Sequence, residues 1–179
     1  MPCSACSTPP ELQSGPAVRS ILSVVNVLGA LLAMFTSLYA LPIATALIYG
    51  EYGQLQVFAL SAGVTLVVGL ALLLATRRHR AELKPRDGYL LVSLGWISVA
   101  AAGALPFVLG TPHLSVTDAF FEAISGLSTT GSTVISGLES LPHAVNLWRH
   151  ALHWLGGMGI IVLAVAVLLL LAGGWKARE

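Results

Sequence analysis

Four runs of apolar residues, each long enough to cross a bilayer, constrain this chain more than any motif it carries. A hydrocarbon core about 30 Å thick takes about 20 helical residues to span. Such runs occupy residues 21–48, 55–75, 89–109 and 147–172. The first is long enough to cross with tilt, and Pro42 predicts a kink near one of its ends. Only 9% of the residues are charged while 56% are hydrophobic, and the mean hydropathy is +0.84. Soluble domains carry roughly a quarter charged residues, so the chain is read as an all-α integral membrane protein with four transmembrane helices.

The placement of the basic residues orients those spans. Arg77, Arg78, Arg80, Lys84 and Arg86 lie between the second and third runs, Arg19 precedes the first, and Lys176 and Arg178 follow the fourth. Only Arg149 lies on the other side. The positive-inside rule then makes both termini and the basic loop cytoplasmic, and turns the loop around Glu51 and residues 110–146 outward. The polar, Pro-rich start, residues 1–17, is expected to be a disordered cytoplasmic tail. Its Cys3 and Cys6 form a CxxC without a second pair or a nearby His, read as a tail without a defined site, with a labile redox or zinc half-site as the alternative. The basic region ahead of the first run is thin and the run is too long for a cleaved signal peptide.

Residues 110–146 are too long for a tight turn and too apolar in the middle for a hydrated loop. Within them "TPHLSVTDAFFEAISGL" starts as a helix, with Ser115 and Asp118 in a capping-box relation and Thr117 as the alternative cap. Phe120, Ile124 and Leu127 recur at helical spacing, predicting a helix over residues 117–127 that covers about half a bilayer. An apolar helix of that length, entered and left from outside, is a re-entrant half-helix. Gly126 and Gly131 break the pattern after it, in "GLSTTGSTV".

Non-helical backbone at membrane depth is tolerated only where protein buries it or where it lines a water-filled cavity. That stretch offers carbonyl oxygens, five hydroxyls from Ser128, Thr129, Thr130, Ser132 and Thr133, and the negative end of a helix dipole. All of these favour a cation. Stripping a small ion of its water costs on the order of 20 kcal/mol, so a ring of oxygens has to replace the hydration shell. A glycine lets successive carbonyls turn toward one axis. The absence of Asp and Glu from the stretch favours a weakly held monovalent ion over calcium. Ser128 to Thr133, with Thr129, Thr130, Gly131 and Ser132 between them, are therefore the candidate wall of an ion filter, and packing by small residues is the competing explanation.

Asp118 and Glu122 share a helix face and form a candidate negative vestibule that concentrates cations. Alternatively, Asp118 only starts the helix, and a buried Glu122 needs a partner such as Arg149. His150 and His153 share a face but lack a third ligand nearby in sequence, so no transition-metal site is expected. Trp96, Trp148, Trp154 and Tyr52 read as interface anchors or lipid-facing bulk, and Gly156, Gly157 and Gly159 as close-packing positions. No phosphate loop, catalytic triad or dinucleotide fingerprint is present, so no enzyme chemistry is implied.

From "DAFFEAISGLSTTGSTVISGLESLPHAVNLWRHALHWLGGMGIIVLAVAVLLLL" back through "GALPFVL" and "ELKPRDGYLLV", the chain closely resembles the first pore repeat of the TrkH/TrkG potassium uptake proteins, in the superfamily that includes KtrB and fungal Trk transporters. The resemblance covers about residues 18–171. It implies a unit of helix, re-entrant pore helix, filter strand and helix, repeated four times around one pore, behind two extra amino-terminal helices. Residues 18–80 would hold the extra pair, 81–172 the first pore repeat, and 173–179 a cytoplasmic tail. The filter would be Thr129, Thr130, Gly131, Ser132 and Thr133, and Gly131 matches the family's filter glycine, whose surroundings bind potassium. The implied cargo is K+ with no cofactor, and the implied partner is TrkA, a cytoplasmic nucleotide-binding ring that gates the pore.

Family members are more than twice this length, and the only internal repeat here is "ISGL" at Ile124 and Ile135. One repeat supplies a quarter of a filter. The expectation is a truncated or split Trk-type pore subunit of the bacterial inner membrane, with assembly of four copies as the alternative. A non-conducting membrane interaction or assembly protein is the reading from another class.

Overall fold

The computed structural model describes the backbone of residues 16–77 and 85–176, and the side chains of 21–77 and 87–161. Cys3, Cys6, most of the basic loop and the last three residues lie outside the described residues. Among the described residues six helices follow one another: α1 (Pro16–Phe35), α2 (Ala40–Tyr49), α3 (Tyr52–Thr76), α4 (Pro85–Leu109), α5 (Val116–Leu127) and α6 (His143–Lys176). A 3-10 turn, Thr36–Tyr39, joins α1 to α2, and another, Leu138–Ser140, precedes α6.

Three of the expected spans are helices long and apolar enough to cross a membrane: Ile21–Tyr49, Tyr52–Thr76 and Asp87–Leu109. The fourth expected span falls inside α6, which is 34 residues long. The first span passes through a 3-10 turn at Thr36–Tyr39, ahead of Pro42. The reason is local: proline has no N–H to donate and its ring crowds the carbonyl four residues back, so the turn preceding Pro42 tightens. Hydroxyls relieve the carbonyls around that turn, with Thr36 Oγ1 donating to Leu32 O at 3.0 Å and Ser37 Oγ to Met34 O at 2.8 Å.

The helices are inside out relative to a soluble bundle. Along α3 the buried positions are Gln54, Phe58, Ser61, Thr65, Gly69 and Thr76, which recur on one face, while Val67 and Leu74 are exposed. The inward hydroxyls are satisfied within the helix, Ser61 Oγ donating to Val57 O and Thr65 Oγ1 to Ser61 O, each at 2.8 Å. That arrangement suits a hydrocarbon solvent, where small and hydroxyl residues let helices approach closely. The α1–α3 crossing shows how closely: a Cβ on Gly29 would stand 2.8 Å from Gly69 O, and Asn26 Nδ2 donates to Thr76 Oγ1 at 2.9 Å beside it.

α1 packs on α3 and α4, α2 on α6, and α5 lies between α4 and α6. The centre of the assembly is Trp148, completely buried. It stacks on Tyr39 with ring centroids 4.5 Å apart, meets Phe35 and Phe58 at 5.8 Å, and donates its Nε1–H to Gly103 O at 3.0 Å. Tyr39 in turn donates to Ala102 O at 2.7 Å. Trp148 is thus not the interface anchor expected from sequence, because both its ring faces and its indole N–H find partners inside. Trp154, by contrast, is exposed.

Candidate ion-binding site

The site is built on α5. Ser115 caps it, accepting the Asp118 N–H at 3.2 Å, while the Ser115 hydroxyl donates to Asp118 Oδ2 at 2.8 Å. The helix therefore starts at Val116, one residue before the expected start, and Ser115 rather than Thr117 is the cap. At 12 residues it is about 18 Å long, a little over half the hydrocarbon thickness.

α5 ends on a left-handed residue, and that residue is Thr129, with φ +57°. The Thr129 N–H reaches Gly126 O at 2.9 Å and the Thr130 N–H reaches Ser125 O at 3.0 Å, the two closing bonds of a left-handed C-cap. Glycine usually fills that position, and a β-branched residue there is a true outlier. The Thr129 hydroxyl donates to Ser128 O at 2.7 Å, which binds the strained turn to itself. Gly131 follows, also left-handed at φ +77°, and residues 128–134 are exposed.

Behind this exposed stretch the backbone is fastened at several points. Ser125, buried on α5, donates its hydroxyl to Ser132 O at 2.6 Å, and its carbonyl also accepts the Gly131 N–H at 3.4 Å. Glu122, one turn earlier, accepts the Thr133 hydroxyl and pairs with Arg149 Nε of α6 at 3.4 Å. Its side chain is 1% exposed and that of Arg149 10%. The Ile135 N–H reaches the same Thr133 oxygen at 3.1 Å.

α6 closes the back. A Cβ on Gly156 would fall 2.0 Å from Leu127 O, so the helix backbone rests directly on the end of α5. The His153 ring lies between Gly126 and Gly131, with its Nδ1 held at 2.8 Å by Arg149 O. His150 is tied the same way, its Nδ1 2.7 Å from Asn146 O. At its start, α6 is capped from a distance. Glu51 accepts the His143 N–H at 2.7 Å and the Ala144 N–H at 3.1 Å, and meets His143 Nδ1 at 3.0 Å. Burial pushes the Glu51 carboxyl up, but the amides of Ala144 and His143 and the His143 ring outweigh it and hold the group below its ordinary value.

The sequence-level candidates Thr129, Thr130, Gly131, Ser132 and Thr133 thus come together in one fastened, outward-bared segment. Asp118 sits at the α5 start, partly exposed, whereas Glu122 is turned away from solvent toward Arg149.

A family model of cation transport proteins, TrkH, matches residues 54–177. The chain belongs to the TrkH family. This TrkH-family chain is 46% identical over 153 residues to the Trk system potassium uptake protein TrkH of Salmonella typhimurium, covering 85% of this chain and 32% of that one. To the TrkG protein of Escherichia coli K12 it is 36% identical over 158 residues, covering 87% and 32%. The crystal structure of the potassium transporter TrkH from Vibrio parahaemolyticus superimposes with a TM-score of 0.77 at 47% identity, over 83% of this chain and 32% of that one. The chain therefore spans about a third of the length of the relatives it matches, and it is a multi-pass membrane protein like them.

Three site features of this TrkH-family chain were missed in the sequence: the left-handed Thr129, the double role of Ser125, and the Glu51 cap on α6. Thr129 follows the last helical residue by two, where a C-cap is sought, but a β-branched residue carries no signal for it. Ser125 looks like one more small residue of an apolar helix. Glu51 stands 92 positions from its partner, beyond any local pattern.

Proposed function

We propose that the chain forms the first pore repeat of a Trk-type potassium uptake protein, with K+ passing along the bared side of residues 129–133. One observation carries the reading: the segment is bonded from behind by Ser125 of α5 while residues 128–134, with their carbonyl oxygens, stand exposed. The carboxyl end of a half-helix points into the same place and adds negative potential. The names of the relatives, potassium uptake proteins, agree with that chemistry.

In this reading residues 18–80 are the two preceding helices, 81–172 the pore repeat, and 1–17 and 173–179 cytoplasmic tails, so that α6 is the fourth span. Asp118 stands at the outer mouth and draws cations, while Glu122 serves from behind. The ion exchanges water for oxygen ligands with no covalent step, so the chain is a transporter subunit rather than an enzyme, with K+ as cargo and no cofactor. A closed ring needs further repeats, from longer chains or from self-association. The basic loop faces the cytoplasm of a bacterial inner membrane, where a TrkA-like nucleotide-binding subunit regulates the pore.

The test is growth of a potassium-uptake-deficient bacterium on limiting potassium. The chain is expressed alone and, separately, as a replacement for the matching third of Vibrio parahaemolyticus TrkH, with membrane insertion checked in both. Rescue by the replacement is expected, and Gly131→Asp in it abolishes growth. A well-inserted replacement that never rescues overturns the reading, and unchanged rescue by Gly131→Asp removes that residue from the ion path.

A further inference from the structure

The back of the candidate filter is a stranger place than its front. Of the oxygens in residues 128–133, several are already spoken for by the protein. Ser132 O is taken by Ser125 Oγ at 2.6 Å, Ser128 O by Thr129 Oγ1 at 2.7 Å, and the Thr133 hydroxyl donates to Glu122. The Ser128 and Thr130 hydroxyls bond each other at 2.8 Å. A carbonyl that already accepts a bond from behind keeps one lone pair fewer and is turned toward that donor, and a hydroxyl that donates backward is fixed in its orientation, so neither is as free to turn to an ion in front as an unbonded carbonyl.

We propose that Ser125 and Glu122 are positioning residues of the ion site, and that they divide the oxygens of residues 128–133 into a structural set and an ion-facing set. The inference rests on the reading of this segment as a potassium filter. Ser125 holds three successive residues with one side chain and one carbonyl: Thr130 and Gly131 through their N–H groups, Ser132 through its carbonyl. The carbonyls of Thr130 and Gly131 are thereby left for the cation, with the left-handed Gly131 setting their relative direction. Glu122 fixes the next residue, and Arg149 fixes Glu122. Both residues lie on the buried side of α5, at positions i and i+3, so a single helix face aligns the whole segment.

Such a brace matters for discrimination. Favouring one cation over another of different radius requires ligands held at one spacing, and a buried hydrogen-bond network supplies that stiffness. Ser132 then lies in the segment without giving its carbonyl to the ion, which separates it from Thr130 and Gly131.

The experiment places this chain in the matching third of Vibrio parahaemolyticus TrkH, where further repeats close the ring; the product, segmentally 15N-labelled over this third and taken as wild type, is reconstituted in nanodiscs and titrated with KCl, NaCl or N-methylglucamine chloride at matched ionic strength. The Thr130 and Gly131 amide shifts report binding, and thermal unfolding is read in parallel. Wild type is expected to respond saturably to K+ and less to Na+. Ser125→Ala and Thr133→Val are each expected to weaken K+ by about tenfold and to narrow the K+ to Na+ ratio. Thr133→Ser, which keeps the hydroxyl, restores both. Retention of wild-type affinity and ratio by Ser125→Ala and Thr133→Val overturns the positioning role while the filter reading stands. Weakened binding in Thr133→Ser equal to that in Thr133→Val also overturns it, since the hydroxyl would then be irrelevant. If wild type itself shows no K+ response, the filter reading falls and this inference falls with it.

Discussion

Removing the carboxylate of Glu122 should be among the most costly single changes available in this chain, and removing its partner as well should recover most of the loss. The Glu122 and Arg149 side chains are 1% and 10% exposed, with Oε1 and Nε 3.4 Å apart. At an effective dielectric of about 20, unit charges at that distance attract by roughly 5 kcal/mol, which offsets the desolvation of both groups. In Glu122→Leu the guanidinium stays charged and buried with nothing to balance it, because arginine does not shed its proton. The expected cost is about 3–5 kcal/mol. In a chain of this size that lowers the unfolding midpoint by roughly 6–20 °C. Arg149→Met should cost less, since Glu122 keeps the Thr133 hydroxyl as a partner. The double variant Glu122→Leu with Arg149→Met puts apolar groups in both places and should fall within about 1–2 kcal/mol of wild type. The assay is a double-mutant cycle by thermal unfolding in one detergent, at low and high salt. Single variants that lose less than about 1 kcal/mol, or a midpoint that moves strongly with salt, would mean a surface-type pair and refute the reasoning. Strict additivity of the two changes would refute it too.

Three further outcomes follow from the same geometry. Gly156→Ala puts a methyl 2.0 Å from Leu127 O, a backbone atom that cannot swing aside, so it should destabilise by about 1–3 kcal/mol or more, whereas Gly159→Ala, facing Trp96 at 3.6 Å, should be tolerated in the same melting assay. Trp148→Ala should cost about 3–5 kcal/mol, and Trp148→Phe a smaller amount that includes the lost bond to Gly103 O, read as midpoint shifts. Because the Glu51 carboxyl is held below its ordinary value near 4.5, its contribution is complete above that pH and drains away as pH falls through the lowered value. A pH series of unfolding midpoints should therefore show a drop below about 4.5 in wild type that is missing in Glu51→Gln.

What could be read in the sequence was whatever depends on near neighbours. The spans, the short α5 and the capping pair Ser115–Asp118 all follow from spacing within a few residues. The demand that a buried Glu122 find Arg149 was legible too, because a lone charge inside a membrane protein is so costly that its partner can be sought by type. Trp148 was misplaced because an indole near a helix start looks identical whether it meets headgroups or Tyr39 and Phe35, which come more than 100 residues earlier. The irregularity of the first span, a 3-10 turn, lies in the residues preceding Pro42 because proline acts on the carbonyl behind it. At the candidate site, composition marked out residues 129–133 as one segment. Which oxygens are committed to the protein depends on hydrogen-bond direction, and the letters Ser and Thr do not encode it.

The Glu51 cap also carries a message about the order of assembly. The carboxylate is made 92 residues before the amides it will hold, so at about 5–20 residues per second the ribosome leaves it waiting for roughly 5 to 20 seconds. During that interval α1 and α3 already have what they need to pair, the Gly29 and Gly69 contact and the Asn26–Thr76 bond. The hairpin that emerges first thus presents a finished ledge, Tyr49 and Glu51, on which the start of α6 lands: His143 stacks on Tyr49 at 4.1 Å as its amide reaches the carboxylate. The α6 start and the exposed segment before it are thus seated on the connection between α2 and α3.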